Sequence, residues 1–419
     1  MDGMFKLCLF DLDDTLVRTE DLEQIRIVGK NNQSEEYKKK LKAEYGRCED
    51  RNIYAPHILE QIRENYPKLK LGVFTRSPKS YASTVLKLAY PGFDWDVVIA
   101  YEDVKRTKPY GEGIHAAMDK LGLKYLSKVV MVGDQDSDVR AAYNAGVAVV
   151  LDTTSWGSSR NYDNWNALNH IPDAVIGNPT ELLAVLDNLS KFQPFLEKLL
   201  AEDKKTTEPR RFDKIGKFIP KQIGGDKTAY PIFTCGRSFA NYESLSERKK
   251  WHRLTASIHD NKDADIFPEE WVESIYFFIR KTYPLLMFGG NLVVSVVPHR
   301  PGRKPRLENL LTQLSSYISS NAFSGSNRIS FEPELLAYKE GVRSNSNDHL
   351  KANERFANVR DHLFVKKPEV AQGKKVLVID DVCTTGSSLI YAGRYLSEAG
   401  SGEVTRLAIS MNVGNVLNG

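Results

Sequence analysis

Along residues 1–190, short apolar runs alternate with stretches whose apolar positions recur every three or four residues. The runs are KLCLFDL near the start, KLGVFT (70–75), DVVIA (96–100), KVVMVGD (128–134), VAVVLD (147–152) and DAVIG (173–177). Their unbroken apolar character is that of strands buried on both faces. Between them, APHILEQIRENY and GEGIHAAMDKLG carry the period of helices lying on a core. This alternation predicts a parallel sheet covered by helices on both sides. A second series starts near Tyr230, with strands at YPIFTC, NLVVSVVP (291–298), KKVLVIDDV (374–382) and VTRLAIS (404–410). Helical patterns there fall at EEWVESIYFFIRKTY, LENLLTQLSSYISS and SSLIYAGRYLSEAG. PTELLAVLDNLSKFQPFLEKLLAED (179–203) reads as one long closing helix with Pro194 as its breaking point. DKKTTEPRRFDK, which follows, is charged and nearly free of large apolar residues, as a linker is. The predicted class is α/β, with two doubly wound parallel-sheet, Rossmann-like domains over 1–200 and 230–419 and a charged linker over 201–229.

Composition narrows the class. The 419 residues are 41% apolar and 27% charged, ordinary for a globular protein. No apolar run approaches the roughly 20 residues of a membrane span, and MDGMFKLCLF, with its early acid, does not read as a secretory leader. The four cysteines, Cys8, Cys48, Cys235 and Cys383, form no CxxC pair. That argues against a disulfide framework or zinc ribbon and for a reducing, cytoplasmic setting. The net charge of +4 is uneven: residues 1–190 hold 24 Lys and Arg against 28 Asp and Glu, leaving 34 against 26 for the rest. A basic second half suits a polyanionic ligand, and it equally suits a solvated surface.

Candidate chemistry sits where the apolar runs end. Asp11 and Asp13 close the first run as Asp-Leu-Asp-Asp-Thr-Leu, Thr75 ends the second, Lys108 lies in VKRTKP, and Asp134 and Asp138 form GDQDSD. Singly, each has an ordinary explanation as a loop acid, a helix cap or a surface lysine. Four such pieces in this order, each at a strand terminus, form a site beyond the carboxyl edge of one sheet. Two acids two residues apart on an extended chain point the same way, so one can attack while the other moves a proton.

The pattern resembles the haloacid dehalogenase-like (HAD) phosphatase superfamily over about residues 1–190, down to SDVRAAYNAG after the fourth motif. The resemblance implies that Asp11 is the nucleophile and forms an aspartyl-phosphate, and that Asp13 is the general acid and then base. Thr75 and Lys108 would hold the phosphoryl oxygens. Mg²⁺ would sit on Asp134, Asp11 and the Asp13 backbone carbonyl, with Asp138 in support. The physics is consistent with this: a carboxylate approaches a phosphate dianion only where positive charge cancels the repulsion. A small cap, about 18–53, implies an open site and a substrate larger than a simple sugar phosphate, or one delivered by the second domain.

In the second half, VLVIDDVCTTGSS carries a strand into paired acids and then small hydroxyl residues before a helix. Small residues let backbone N–H groups face an anion at a helix N-terminus. The hydroxyls of Thr384, Thr385, Ser387 and Ser388, around Gly386, add donors. Asp380 and Asp381 cannot serve the phosphate and suit sugar hydroxyls instead. The stretch resembles the signature of type I phosphoribosyltransferases, which bind 5-phosphoribosyl-1-pyrophosphate (PRPP). The resemblance implies that Asp380 and Asp381 hold the ribose hydroxyls and 384–388 the 5′-phosphate. His299, Arg300, Arg303 and Lys304, after the strand ending at Pro298, match the pyrophosphate loop and the flexible loop beyond it. LKANERFANVRDHLFV (350–365) resembles the ComF-type branch, although the zinc ribbon common there is missing and the acceptor-selecting hood matches no branch.

The resulting expectation is a bifunctional enzyme with Mg²⁺ at both sites, acting on PRPP and on a phosphorylated nucleotide or sugar. Two alternatives stay open: a PRPP or nucleotide sensor that gates the phosphatase, and a nucleic-acid-associated protein of DNA uptake, stress or defence. Nucleic acid and a second copy of the chain remain open as partners; a membrane does not.

Overall fold

The computed structural model describes residues 4–158, 161–201, 209–216, 218, 220–223, 228–343, 350–414 and 417. Its strands are β1 (Leu7–Phe10), β2 (Lys70–Phe74), β3 (Val97–Ile99), β4 (Val129–Gly133), β5 (Ala148–Asp152), β6 (Ala174–Ile176), β7 (Asp213–Ile215), β8 (Ile232–Thr234), β9 (Arg237–Phe239), β10 (Leu292–Val296), β11 (Ile329–Phe331), β12 (Leu336–Tyr338), β13 (Leu363–Val365), β14 (Lys375–Cys383) and β15 (Val404–Val413). They divide between two compact units.

In the first unit β1–β6 form one sheet in the order β3-β2-β1-β4-β5-β6, parallel at every pairing. β1, β4 and β5 are wholly buried, as their unbroken apolar sequences require. The strand order reverses at β1, which lies between β2 and β4. In an open sheet of this kind the crevice for a ligand opens at that reversal, beyond the carboxyl ends of the strands. The cap leaves the sheet after β1. A bridge between Val17 and Asn52 closes its neck, and it carries the helices Glu23–Val28 and Glu35–Tyr45.

The second unit has a seven-stranded sheet in the order β11-β10-β14-β15-β8-β7, with β9 also pairing β15. It departs from the all-parallel expectation: β7 runs antiparallel to β8, so this sheet is mixed. β12 and β13 form a separate antiparallel pair. The helix Glu269–Thr282 buries Trp271, Ile275 and Phe278, and Phe278 packs edge-on or tilted against Phe212 and Phe233 at 5.3 Å.

The units are not the linear segments 1–200 and 230–419. The first comprises residues to Gln193, Phe239–Trp251 and the stretch from Gly414; the second comprises Pro194–Ser238 and His252–Val413. The expected closing helix is broken into Glu181–Asp187, a short turn of helix at Leu189–Phe192 and Phe195–Ala201. Pro194 cannot continue the hydrogen-bond ladder, and the last piece belongs to the second unit. Of the expected linker, 202–208, 217, 219 and 224–227 lie outside the described residues. Part of what remains is structured, because Phe212 and Ile215 find apolar partners and β7 joins the sheet.

The excursion 239–251 is held to the first unit by a buried charge. Arg248 ion-pairs with Asp173, both fully buried, and its NH1 donates to the Val147 carbonyl at 2.7 Å. Phe239 meets Tyr143 edge-on at 5.1 Å, and the Trp251 indole N–H donates to the Gly146 carbonyl at 2.9 Å. In the second unit, Glu197 binds the residues flanking the excursion, with Arg237 on one side at 3.0 Å and His252 on the other at 3.1 Å.

Candidate active sites

Asp11 is the first residue after β1, and its backbone N–H donates to the Val132 carbonyl of β4 at 2.8 Å. That bond aims the β1 terminus along β4, whose own terminus carries Asp134. Asp138 lies in the first turn of the helix Asp136–Ala145 and is fully buried. Asp11, Asp134 and Asp138 each bring a carboxylate oxygen into one group, all within 4.8 Å of one another. Lys108 enters the group, with its ammonium 2.7 Å from Asp11 and 2.6 Å from Asp138.

The electrostatics are unbalanced. Three buried carboxylates face one ammonium. Burial pushes the Asp11 carboxyl up to about 7; Lys108 opposes that rise, while Asp138 and Asp13 add to it. Asp134 is pushed well above the ordinary carboxylate range by burial and then by Asp138 and Asp11, against the Thr15 hydroxyl that donates to it at 2.7 Å. Lys108 is opposed by burial but held protonated by Asp11 and Asp138. Hard oxygen donors and surplus negative charge fit a divalent cation such as Mg²⁺.

The backbone at Gly133 makes room for this packing: a Cβ there would overlap the Asp138 carboxylate. Gly133→Ala should therefore push Asp138 off Lys108 and lower hydrolase turnover by about 100-fold, the scale set by an ångström-sized misplacement. Steady-state kinetics on the purified variant checks this.

Asp13 stands outside the acidic group. Its Oδ1 accepts from the Thr19 hydroxyl at 2.7 Å and the Tyr81 hydroxyl at 3.0 Å, and its Oδ2 from the hydroxyls of Ser77 and, at 3.5 Å, Thr75. Arg26 of the cap lies 3.3 Å from Oδ1. Thr75 is buried, and its oxygen also accepts from the Ser77 N–H at 3.0 Å. Ser77, two residues past Thr75, could have been found by proximity. Thr19, Tyr81 and Arg26 carry no sequence signal that sets them apart.

In the second unit, Asp380 and Asp381 lie near the end of β14, and the Asp381 N–H donates to Asp380 Oδ1 at 3.0 Å. Burial and Asp381 push the Asp380 carboxyl well up, with Arg300 opposing. Gly386 has φ 76°, a left-handed conformation that favours glycine, and it begins the helix Ser387–Glu398. Thr384 is exposed, Thr385 and Ser388 are half-buried, and the Thr385 hydroxyl donates to the buried Ser387 hydroxyl at 3.3 Å.

The basic loop divides. Among the described residues, the cations that meet the acid pair are Arg300, facing Asp380, and Arg306, 3.3 Å from Asp381. His299 lies 2.8 Å from Glu308, Lys304 pairs with Asp265 at 2.9 Å, and Arg303 is exposed. Sequence reasoning passed over Tyr338. Its buried phenol hydrogen-bonds Ser388, and burial and Asp380 push it up to about 12.

Residues 23–151 match the family model for haloacid dehalogenase-like hydrolases, and residues 310–414 match the phosphoribosyl transferase domain. The chain thus carries a HAD-like hydrolase domain and a phosphoribosyltransferase domain. Neither match reaches Asp11, Asp13 or the loop at 298–306, so the geometry above is what locates those residues. Among curated proteins, the first domain is similar to the pyrophosphatase PpaX of Bacillus mycoides (strain KBAB4), 30% identical over 122 residues, covering 29% of this chain and 54% of that protein. It is also similar to the phosphoglycolate phosphatase of Photorhabdus laumondii, 28% identical over 129 residues, covering 31% of this chain and 51% of that one. The chain spans about half the length of the curated relatives it matches. Among solved structures, CbbY from Rhodobacter sphaeroides in complex with phosphate matches with 20% identity and a TM-score of 0.31, covering 44% of this chain and 100% of that one. Among the described residues, no helix is long and apolar enough to cross a membrane.

Proposed function

We propose that the chain is a bifunctional enzyme of phosphoribosyl or nucleotide metabolism: a Mg²⁺-dependent phosphohydrolase joined to a PRPP-dependent phosphoribosyltransferase. The observation that carries the first half is the buried group of Asp11, Asp134, Asp138 and Lys108 at the reversal of the first sheet. Asp11 attacks phosphorus, the bond to the leaving oxygen breaks, and an aspartyl-phosphate forms. Asp13 gives that oxygen a proton and later takes one from the water that releases phosphate. Lys108 and Thr75 hold the phosphoryl oxygens. Asp11, Asp134 and the Asp13 backbone carbonyl would hold Mg²⁺, with Asp138 in support, and its charge when bound would offset the repulsion between carboxylate and phosphate.

In the second domain, Asp380 and Asp381 hold the ribose hydroxyls and residues 384–388 the 5′-phosphate. Arg300 receives the departing pyrophosphate as the bond at C1 breaks and the acceptor's bond forms. Mg²⁺ arriving with PRPP would add positive charge against the departing pyrophosphate there. His299, Arg303 and Lys304 join only if the loop moves from its contacts with Glu308 and Asp265. The two activities suit each other, because phosphoribosyl transfer releases pyrophosphate and curated relatives of the first domain are named pyrophosphatases.

The test incubates the full chain with PRPP, Mg²⁺ and a panel of bases, following pyrophosphate and phosphate separately. Base-dependent pyrophosphate release, lost in Asp380→Asn/Asp381→Asn, supports the transferase. PRPP binding with no release from any base would turn the second domain into a sensor. Mg²⁺ binding to the first site carries its own signature. The Asp11 carboxyl is pushed up to about 7, so below that pH the metal must displace a proton. Affinity should rise with pH up to about 7, with protons released at pH 6 and fewer at pH 8, as read by calorimetry in buffers of different ionisation heat.

A further inference from the structure

Asp13 has more donors than it needs. Thr19 and Tyr81 donate to Oδ1, and Ser77 and Thr75 to Oδ2. Thr75, at 3.5 Å, is the longest of the four, and each is a hydroxyl that can turn to accept when Asp13 carries a proton. Arg26 is a fifth neighbour, 3.3 Å away, with a side chain 29% exposed. Among the described residues, Asp13 is the only ion-pair partner of this guanidinium. A guanidinium presents five N–H donors in a planar fork, so most of this one is unspent.

Arg26 is not a loose surface cation. Its helix, Glu23–Val28, is tied down on both sides. The Tyr37 hydroxyl donates to the Ile25 carbonyl at 3.1 Å, the Ser80 hydroxyl to the Gly29 carbonyl at 3.1 Å, and the Lys30 ammonium to the Tyr101 hydroxyl at 2.7 Å. The cap therefore holds a half-buried cation beside Asp13. In the proposed mechanism the transferred phosphoryl group has its own cation, Lys108, 2.7 Å from Asp11.

We propose that Arg26 is a receptor for an anion on the leaving group, so that the hydrolase site selects phosphate esters and anhydrides whose leaving group is itself charged: pyrophosphate, bisphosphates or phosphorylated carboxylic acids. This rests on Asp11 being the nucleophile and Asp13 the leaving-group acid. An anion arriving at Arg26 exchanges for the Asp13 contact, which Asp13 can lose because its hydroxyl partners remain. A neutral leaving group offers Arg26 nothing in return.

The test uses the full chain carrying Asp11→Asn, with Mg²⁺, titrated by calorimetry with three phosphonates: methylphosphonate, phosphonoacetate and methylenediphosphonate. At least one of the two doubly anionic probes should bind about tenfold or more tighter than methylphosphonate, the scale of one charge-assisted contact. Adding Arg26→Met should cut that preference to about threefold or less, and Arg26→Lys should restore part of it. Which probe shows the preference tells a phosphate from a carboxylate leaving group. Equal binding of all three, no binding, or a preference that survives Arg26→Met overturns the proposal. Turnover of pyrophosphate and of phosphoglycolate by the unaltered chain is measured alongside. Its absence, with the binding preference intact, would count against Asp11 as nucleophile and leave the anion receptor standing.

Discussion

Asp11→Asn is expected to lower phosphate-ester hydrolysis by about 10⁴-fold or more, because in the proposed mechanism an amide oxygen cannot replace the attacking carboxylate. The same change should leave the metal-free protein folded and make it more stable above neutral pH. Asp11 is a buried acid among like charges, and its folded carboxyl is pushed up to about 7 from an ordinary value of 3.8. A group raised in this way contributes stability that is full below the unfolded value and is lost as pH rises through the folded one. In the unaltered chain, stability in the absence of metal should therefore fall between about pH 4 and pH 7. Asn has no such titration, so the variant's urea midpoint should vary less over that range. Activity above a tenth of the parent's would mean that another group attacks phosphorus. An unchanged slope of stability against pH would mean that Asp11 is not the strained acid of the group.

Arg248→Ala should destabilise the first unit by about 3–5 kcal/mol, the cost of stranding one member of a buried ion pair. Asp173 would keep the Val149 N–H, which donates to it at 2.9 Å, and lose its cation. Converting both partners, Arg248→Met with Asp173→Asn, should recover most of the loss, since no bare charge is then buried. Urea unfolding followed by hydrolase activity distinguishes the two variants. The same contact predicts that a fragment ending at residue 200 is much less stable than the hydrolase unit in the full chain, because residues 239–251 belong to that unit. A fragment as stable as the full chain, or an Arg248→Ala variant with an unchanged midpoint, would show that the excursion is decorative.

Much of the architecture was legible because it is written locally. β1, β4 and β14 announce themselves as apolar runs that stop at acids, and the helices Glu269–Thr282 and Ser387–Glu398 show the 3.6-residue period. Of the eight three-residue strands among the described residues, β3, β6 and β8 were legible as the centres of apolar runs. β7, β9, β11, β12 and β13 were not, and they exist because a neighbouring edge was available to pair with. The break at Pro194 was foreseeable, but the transfer of the helix beyond it to the other unit was not.

The sequence by itself determined where the chemistry stands. Acids placed at the ends of buried strands can only meet at the carboxyl edge of a parallel sheet, and backbone geometry enforces that whatever else folds around them. Lys108 was expected at the site, but tertiary structure alone decided that it pairs with both Asp11 and Asp138, that Arg26 stands beside Asp13 and Arg306 beside Asp381, and that Arg248 reaches Asp173 just before β6. The reason is that strand and helix patterns repeat over a few residues and leave a trace in order along the chain. A single long basic side chain has no period, and its partner is chosen by how segments up to 97 residues apart pack and exclude water from the pair (Lys108 and Asp11).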